Sequence, residues 1–267
     1  MRKETMFEKR ERLMNAAKAS LTDSYAGSEH AIMQAVSSYL EVEKVRNQLF
    51  ERLEEWYSIY FPEYRANSSI SLAKFVINFG ANKKAPSVEE LRSKIGEGAE
   101  KLHLQIEDSI GREPTAEEFE TLKSMAESEI TLQGVGNQID KYLEVSVKKL
   151  MPNISYLIDY KIAAELLAKA GSLERLAMMP ASTLQLLGAE KALFKHLKFG
   201  TKPPKYGILF KLPQIVSANK KMKGRLARLY ANKISIAAKG DAFTHNFIAE
   251  KLKADIAKSA ARQKGGR

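Results

Sequence analysis

The sequence predicts an all-α protein: a long antiparallel helical (coiled-coil) hairpin followed by a compact α-helical domain. Apolar residues recur at helical spacing along most of the chain, and proline and glycine interrupt them at intervals. No period-2 run is long enough for a sheet, apart from a short extended piece predicted at Tyr206 to Phe210. With 267 residues, 44% of them hydrophobic, the chain can bury a core in each of two domains.

A first long helix is predicted from Ala31 to Tyr60. Its apolar stripes are formed by Met33, Val36 and Leu40 and, further along, by Leu49, Leu53, Trp56 and Tyr60. Phe61 and Pro62 should end the helix, because proline cannot continue the hydrogen-bond ladder and disfavours helical geometry in the residue before it. Trp56, Tyr57 and Tyr60 are interpreted as core residues rather than as a cage for a ligand.

The hairpin is predicted from two capping boxes, Ser87 with Glu90 and Thr115 with Glu118. They should begin antiparallel helices over residues 88–110 and 116–150. The second helix carries an apolar seam at spacings of 3, 4 and 3, formed by Leu132, Val135, Ile139 and Tyr142. A slender hairpin leaves such a seam uncovered, so we expect a homodimer that forms through the coiled coil.

Pro152 marks the predicted domain boundary, because short helices rich in Leu, Ala, Met and Ile follow it. Residues 1–152 are predicted to form a linker helix and coiled-coil dimerisation domain, and residues 153–259 the compact domain. A basic flexible tail is expected over residues 260–267. Within the compact domain, Ser182 and Gln185 predict another capping box ahead of Gly188.

The positive charge is concentrated in one segment of the chain. The net charge is +11 overall, but residues 1–151 carry −4, residues 152–187 are balanced, and residues 188–239 carry +12 with Glu190 as their only acid. An evenly mixed surface is the usual route to solubility, so this concentration indicates a polyanionic partner.

Within that segment a helix is predicted to begin at Gly188, where free backbone N–H groups would favour a phosphate. Lys191, Lys195 and Lys198 share one face of this helix. For Phe194, two interpretations stay open: packing in the core, or stacking on a base or duplex end.

Next comes a loop stiffened by Pro203 and Pro204, which presents Lys202, Lys205 and Tyr206. A basic helix is then predicted from Asn219 to a C-cap at Gly240. Its exposed face carries Lys221, Arg225 and Arg228, and its core face Met222, Leu226, Leu229 and Tyr230.

The sequence argues against an enzyme, which would need a nucleophile with a base, paired carboxylates or a metal site. There is no cysteine and no phosphate-binding loop of the G-x-x-x-x-G-K-[ST] type. His103 lies near Glu100 and Glu107, and His245 near Asp241; both groups are interpreted as surface pairs. We expect no cofactor and no metal.

A membrane span or secretory signal is also not expected, since there is no apolar run of eighteen residues and no apolar stretch at the N-terminus. A cytoplasmic location is therefore expected. A nonspecific binder of nucleic acids or membrane surfaces, acting through a plain charged patch, remains an alternative.

Several motifs resemble the archaeal Nop scaffold proteins and their eukaryotic nucleolar relatives. The motifs that resemble the Nop domain are Ala177–Thr183, Leu187–Leu197, Pro204–Gly207, Lys223–Arg225 and Ala231–Phe243. Glu55–Glu63 resembles the end of the first long helix of the archaeal scaffold protein. The resemblance implies a scaffold of the box C/D ribonucleoprotein, which directs RNA 2′-O-methylation. It further implies binding to kink-turn guide RNA jointly with a small ribosomal-protein-like kink-turn binder.

The resemblance also assigns roles to residues. Gly188, Ala189, Glu190 and Lys191 would lie at the RNA, and Ala192, Leu193, Phe194 and Lys195 match the motif that abuts the guide–substrate duplex. Lys195 stands where arginine is common, which keeps the charge but loses a planar bidentate donor. The full set of expected RNA-binding residues adds Lys198, Lys202, Lys205, Tyr206, Lys221, Lys223, Arg225 and Arg228.

One departure from the family concerns the N-terminus. Family members carry an N-terminal domain that binds the methyltransferase fibrillarin, whereas this sequence begins close to the helices that follow that domain. Fibrillarin is therefore expected as a partner only where such a domain is present.

Overall fold

The computed structural model describes residues 5–66, 68–80, 87–95, 104 and 109–265. The helices are α1 (Met6–Ala26), α2 (Ser28–Tyr57), α3 (Ser69–Phe79), α4 (Val88–Ile95), α5 (Ala116–Leu150), α6 (Pro152–Leu157), α7 (Tyr160–Ala170), α8 (Leu173–Met178), α9 (Ala181–Leu186), α10 (Glu190–Phe199), α11 (Pro213–Val216), α12 (Lys220–Lys239) and α13 (Ala249–Gly265). A 3₁₀ turn, Ile208–Lys211, precedes α11, and a π turn, Gly240–Thr244, follows α12. No strand occurs among the described residues, and the all-α fold class is confirmed.

The chain divides into two compact units. One comprises Tyr39–Ile139, and the other comprises Met1–Ser38 together with Asp140–Arg267. The boundary at Pro152, which rests on a change in sequence character, stays a prediction. The basic tail expected from residue 260 likewise stays a prediction, and α13 continues to Gly265.

The core of the Tyr39–Ile139 unit is built on aromatic side chains. The Tyr64 and Phe75 rings stack with centroids 4.1 Å apart, and Tyr57 meets Phe75 edge-on. Tyr57 and Tyr60 are buried, and Trp56 Nε1 donates a 3.0 Å hydrogen bond to the Tyr60 hydroxyl. The prediction that Trp56, Tyr57 and Tyr60 belong to the core is therefore confirmed. The helix ends at Tyr57, and a turn covers the three residues up to Tyr60.

Both predicted capping boxes of this unit are present. Glu90 N–H donates to Ser87 Oγ at 3.2 Å while Ser87 N–H donates to the Glu90 carboxylate at 3.1 Å. Thr115 and Glu118 form the equivalent pair, with distances of 3.2 and 2.8 Å.

Of the first predicted hairpin helix, 88–110, the structure describes α4, Leu104, which is helical, and the last two residues, 109 and 110. Residues 96–103 and 105–108 lie outside the described residues, and with them the group of His103, Glu100 and Glu107. Ser109 and Ile110 are not helical; the Ser109 hydroxyl and the Ile110 N–H donate to the Glu63 carboxylate.

An ion pair inside this unit joins α2 to α5. Glu129 is fully buried; its Oε1 accepts a hydrogen bond from Arg46 Nε at 3.0 Å and lies 2.9 Å from Arg46 Nη2. Arg46 also donates to Glu43 at 2.8 Å. Because a buried carboxylate is costly without its partner, the guanidinium sets how the two helices pack.

In the other unit, a buried carboxylate joins three segments. Asp241 accepts hydrogen bonds from the Asn153 backbone and side chain and from Ile154 N–H, at 2.7 to 3.0 Å. The Asn153 side chain donates in turn to Asn246 O and accepts from Ile248 N–H. Burial raises the pKa of Asp241, against the opposing effect of these N–H donors. The start of α6, the π turn and the start of α13 are thereby tied together.

This network corrects one prediction. Asp241 is not one of a surface pair with His245, since it is buried and its oxygens are bound by Asn153 and Ile154. The predicted helix end is confirmed: Gly240 is the C-cap residue of α12, with φ −60°, and the backbone continues from it into the π turn. His245, at the end of that turn, is left-handed at φ 54°.

Replacing Arg46 by methionine should destabilise the Tyr39–Ile139 unit by about 3–5 kcal/mol, because Glu129 would stay buried without its cation. Trp56 is the only tryptophan of the sequence and belongs to this unit, so its fluorescence during urea unfolding gives the unfolding midpoint of the unit. Arg52→Met is the matched control, because the Arg52–Glu55 pair is exposed and should barely move the midpoint. Equal midpoints for both variants would contradict the role of Arg46.

Replacing Asp241 by asparagine should lower the free energy of unfolding by about 1–3 kcal/mol, because one buried N–H group loses its acceptor. Scanning calorimetry measures the shift. Asp159→Asn is the control: Asp159 caps α7 through Lys161 N–H, and asparagine caps a helix nearly as well. A transition temperature unchanged by Asp241→Asn would refute the proposed network.

Candidate nucleic-acid interface

The basic segment is organised by a close approach of two backbone stretches, residues 185–188 and 205–208, which we call the glycine clip. Gly207 N–H donates to Gln185 O at 2.9 Å, and Ile208 N–H donates to Leu187 O at 2.8 Å. A Cβ on Gly207 would lie 2.0 Å from Leu187 O. Gly188 has φ +89°, and a Cβ there would lie 2.5 Å from Ile208 Cγ1. Both positions therefore require glycine.

The clip corrects two expectations. Gln185 does not close a capping box with Ser182, because α9 begins after Pro180 without a side-chain cap. Its side-chain amide instead donates to Lys205 O at 2.6 Å. This bond holds the loop of residues 200–206, which contains Pro203 and Pro204 and which we call the proline-rich loop. The extended piece predicted at Tyr206 to Phe210 is largely the 3₁₀ turn Ile208–Lys211.

The helix predicted from Gly188 begins two residues later, at Glu190. Gly188 N–H donates to Glu190 Oε1 at 2.6 Å, and Ala189 N–H donates to Leu186 O at 2.8 Å. Desolvation opposes ionisation of the Glu190 carboxyl, but the N–H groups of Gly188 and Glu190 outweigh it and lower the pKa. The backbone N–H groups of Gly188 and Ala189 are thus already hydrogen-bonded within the chain. The negative charge in the first turn of α10 is that of Glu190 itself.

Helix α10 is a surface ridge that buries none of its residues. Lys191, Lys195 and Lys198 are exposed along it. Phe194 is 68% exposed and Leu197 is 70% exposed, so packing of these two side chains in the core is excluded. Helix α10 therefore presents cations and large apolar side chains together, as a surface that contacts both phosphates and bases does.

The proline-rich loop is anchored at both ends. Gly200 ends α10 in the left-handed conformation, and His196 Nδ1 is hydrogen-bonded to Thr201 O. The Lys205 side chain lies near Gly224 on α12, where an added Cβ would be 3.8 Å from it. Lys202 and Lys205 are exposed. The loop thus joins α10 and the beginning of α12 into one basic surface.

Helix α12 contributes Lys221, Arg225 and Arg228, which are all exposed. No acid of the described ranges forms an ion pair with them. By contrast, Lys211 binds Glu165 at 2.6 Å, and Lys233 binds Asp255 at 2.7 Å. Leu226 and Tyr230 are buried on the opposite face, as predicted, while Met222 and Leu229 are half-buried.

Sequence reasoning missed one member of this surface. The Phe210 ring stacks on the Tyr206 ring with centroids 4.6 Å apart and an interplanar angle of 10°. Lys223 Nζ lies 5.0 Å from the Phe210 centroid. Tyr206 and Lys223 were both predicted to face RNA, but no spacing rule links them to Phe210, since Lys223 lies on another element.

The described residues contain no cluster of three or more histidine, cysteine or acidic side chains arranged to hold a metal ion. None of the helices in the described ranges is long and apolar enough to cross a membrane.

Comparison with known proteins gives concordant matches. The Nop family model, described as a snoRNA binding domain, fibrillarin, matches residues 39–262. A NOP5 family protein of Methanocaldococcus jannaschii is 37% identical over 235 residues, which are 86% of this chain and 56% of that protein. Nucleolar protein 56 of Dictyostelium discoideum is 37% identical over 226 residues, 82% of this chain and 42% of that protein.

The crystal structure of a fibrillarin/Nop5p complex matches with a TM-score of 0.53 at 22% identity, covering 95% of this chain and 76% of the matched chain. That likeness shows the fold. The chain spans about half the length of the curated relatives it matches. Because the family model covers most of the chain, including the glycine clip, α10 and α12, the chain belongs to the Nop family.

Proposed function

We propose that this chain is an RNA-binding scaffold of the box C/D ribonucleoprotein that guides RNA 2′-O-methylation, and that it has no catalytic role of its own. The observation that carries the proposal is the set of exposed cations on α10, the proline-rich loop and α12. The glycine clip holds the loop, and the Lys205 side chain of the loop lies beside Gly224 on α12. The nucleolar relatives and the fibrillarin/Nop5p complex support the assembly in which this surface would act.

The RNA would be a kink-turn held jointly with a small ribosomal-protein-like kink-turn binder. A plain charged patch would need no fixed geometry, whereas here hydrogen bonds hold the loop through Gln185 and Thr201. A surface fixed in advance loses little conformational entropy on binding and can select for shape. Exposed cations still supply most of the affinity, and their contribution depends on salt.

The duplex end of a bound guide–substrate RNA would meet Phe194 and Lys195. Phe194 is exposed on α10, and a flat aromatic side chain can cap the last base pair by stacking. Lys195 lies beside it and can contact a terminal phosphate.

Assembly would use α5 and further protein partners. On the predicted seam, Val135 and Tyr142 are exposed in the single chain, and burial of that seam in a second copy would form a homodimer. Fibrillarin recruitment would depend on the N-terminal domain that family members carry.

An electrophoretic shift series at two salt concentrations tests joint recognition. Kink-turn RNA should bind this chain more tightly when the small kink-turn protein is present, and a duplex of equal length should not respond to that protein. If the affinity is the same with and without the kink-turn protein and for both RNAs, and decreases only as the salt concentration rises, the alternative of a nonspecific basic binder is correct.

Single substitutions of Lys191, Arg225 or Arg228 by alanine should weaken RNA binding and reduce the salt dependence by roughly one counterion each. Their melting temperatures should stay close to that of the unaltered chain, because all three side chains are exposed. Lys148→Ala removes the same charge from α5, where Lys148 pairs with Glu144, and serves as control. Three variants with unaltered affinity would place the RNA surface elsewhere.

Light scattering should give the mass of a dimer for the unaltered chain, and the mass of a monomer when Val135 and Tyr142 are both replaced by glutamate. Buried like charges facing each other across the seam would oppose association. Asn137→Glu adds charge to an exposed position off the seam and should leave the dimer intact. A monomer mass for the unaltered chain would overturn the dimer.

A further inference from the structure

The stacked pair of Tyr206 and Phe210 lies at the surface of the molecule. The rings are nearly parallel, at 10°, with centroids 4.6 Å apart. Phe210 remains 37% exposed, and Tyr206 is half-buried. Parallel rings at the surface present a flat apolar face, which is the shape that a nucleobase stacks on.

The position of the pair is fixed by the glycine clip. Both neighbours of Tyr206 are hydrogen-bonded to Gln185. The Lys205 carbonyl accepts from the Gln185 side-chain amide, and the Gly207 N–H donates to the Gln185 carbonyl. Phe210 N–H donates to Gly207 O at 3.0 Å, which sets the second ring relative to the first. A third aromatic ring added to this stack would therefore meet a surface that needs little ordering.

Two lysines lie near the pair. Lys223 Nζ lies 5.0 Å from the Phe210 ring centroid, and Lys205 is exposed next to Tyr206. An ammonium group over an aromatic ring is attracted by its π electrons, so Lys223 is held against the stack with its charge close to any ligand bound there. A base with its attached phosphate matches this combination of flat face and positive charge.

Another surface aromatic pair provides a contrast. Tyr156 and Phe247 are also exposed, but their rings meet edge to face at 84°. A base added to one of these rings would not form a parallel stack with both of them. The pair also lies outside the segments that carry the exposed cations of the interface.

We propose that Tyr206, Phe210 and Lys223 form a stacking platform for one unpaired RNA base, which adds to the Tyr206–Phe210 stack while its backbone phosphate lies near Lys205 and Lys223. The platform rests on the proposed function, since it specifies an unpaired base as the feature of the RNA that this surface binds. Regular duplex RNA, whose bases are already stacked on one another, would not fill it.

Kink-turn RNA that carries 2-aminopurine at one unpaired position at a time tests the platform. Fluorescence anisotropy measures affinity for the full chain in the presence of the kink-turn protein, and the emission of 2-aminopurine reports stacking. One unpaired position should be quenched in the complex. Replacing Tyr206 or Phe210 by leucine should remove that quenching and weaken binding roughly 5- to 150-fold, whereas Tyr206→Phe should retain both.

Phe247→Leu is the matched control, because it removes an exposed ring away from the platform and should change neither readout. Melting by circular dichroism confirms that each variant is folded. Unchanged affinity and quenching in both leucine variants would overturn the platform while the proposed function stands. Loss of binding in Tyr206→Phe equal to that in Tyr206→Leu would also overturn it, since the hydroxyl rather than the ring would then be required. An unaltered chain that binds no RNA would refute the proposed function as well.

Discussion

The glycine clip is the constraint on which the candidate interface depends. Its two backbone hydrogen bonds bring residues 205–208 against residues 185–188, at a distance that only glycine permits at positions 188 and 207. Helix α10 and the proline-rich loop leave from the two sides of this contact, and Lys205 then reaches α12 at Gly224. Without the clip the same lysines and arginines would be present, but their positions relative to one another would not be fixed.

Local features of the fold were predictable because their partners lie within four residues. The capping boxes of Ser87 and Thr115 depend on a side chain and an N–H group three positions apart, and both are present. Helical periodicity likewise identified the buried face of α12, with Leu226 and Tyr230. The all-α fold class followed from the same patterns.

Contacts between distant segments were not predictable in this way. Gln185 has the spacing of a cap, but its amide binds Lys205 O, twenty positions away. Periodicity gave the face of α10 on which Phe194 lies, but not whether another element covers that face. The charge segment was found from sequence alone, whereas separating its exposed cations from the paired Lys211 and Lys233 required the positions of Glu165 and Asp255.

The central claim is that the surface formed by α10, the proline-rich loop and α12 binds a kink-turn RNA whose shape is fixed by the small kink-turn protein. Ultraviolet crosslinking of the chain to kink-turn RNA, with crosslinked peptides identified by mass spectrometry, tests it directly. Peptides from residues 188–206 and 219–230 should crosslink strongly when the small kink-turn protein is present and weakly when it is absent. Crosslinks that are independent of that protein, or that are spread over basic residues of both units, would contradict the claim.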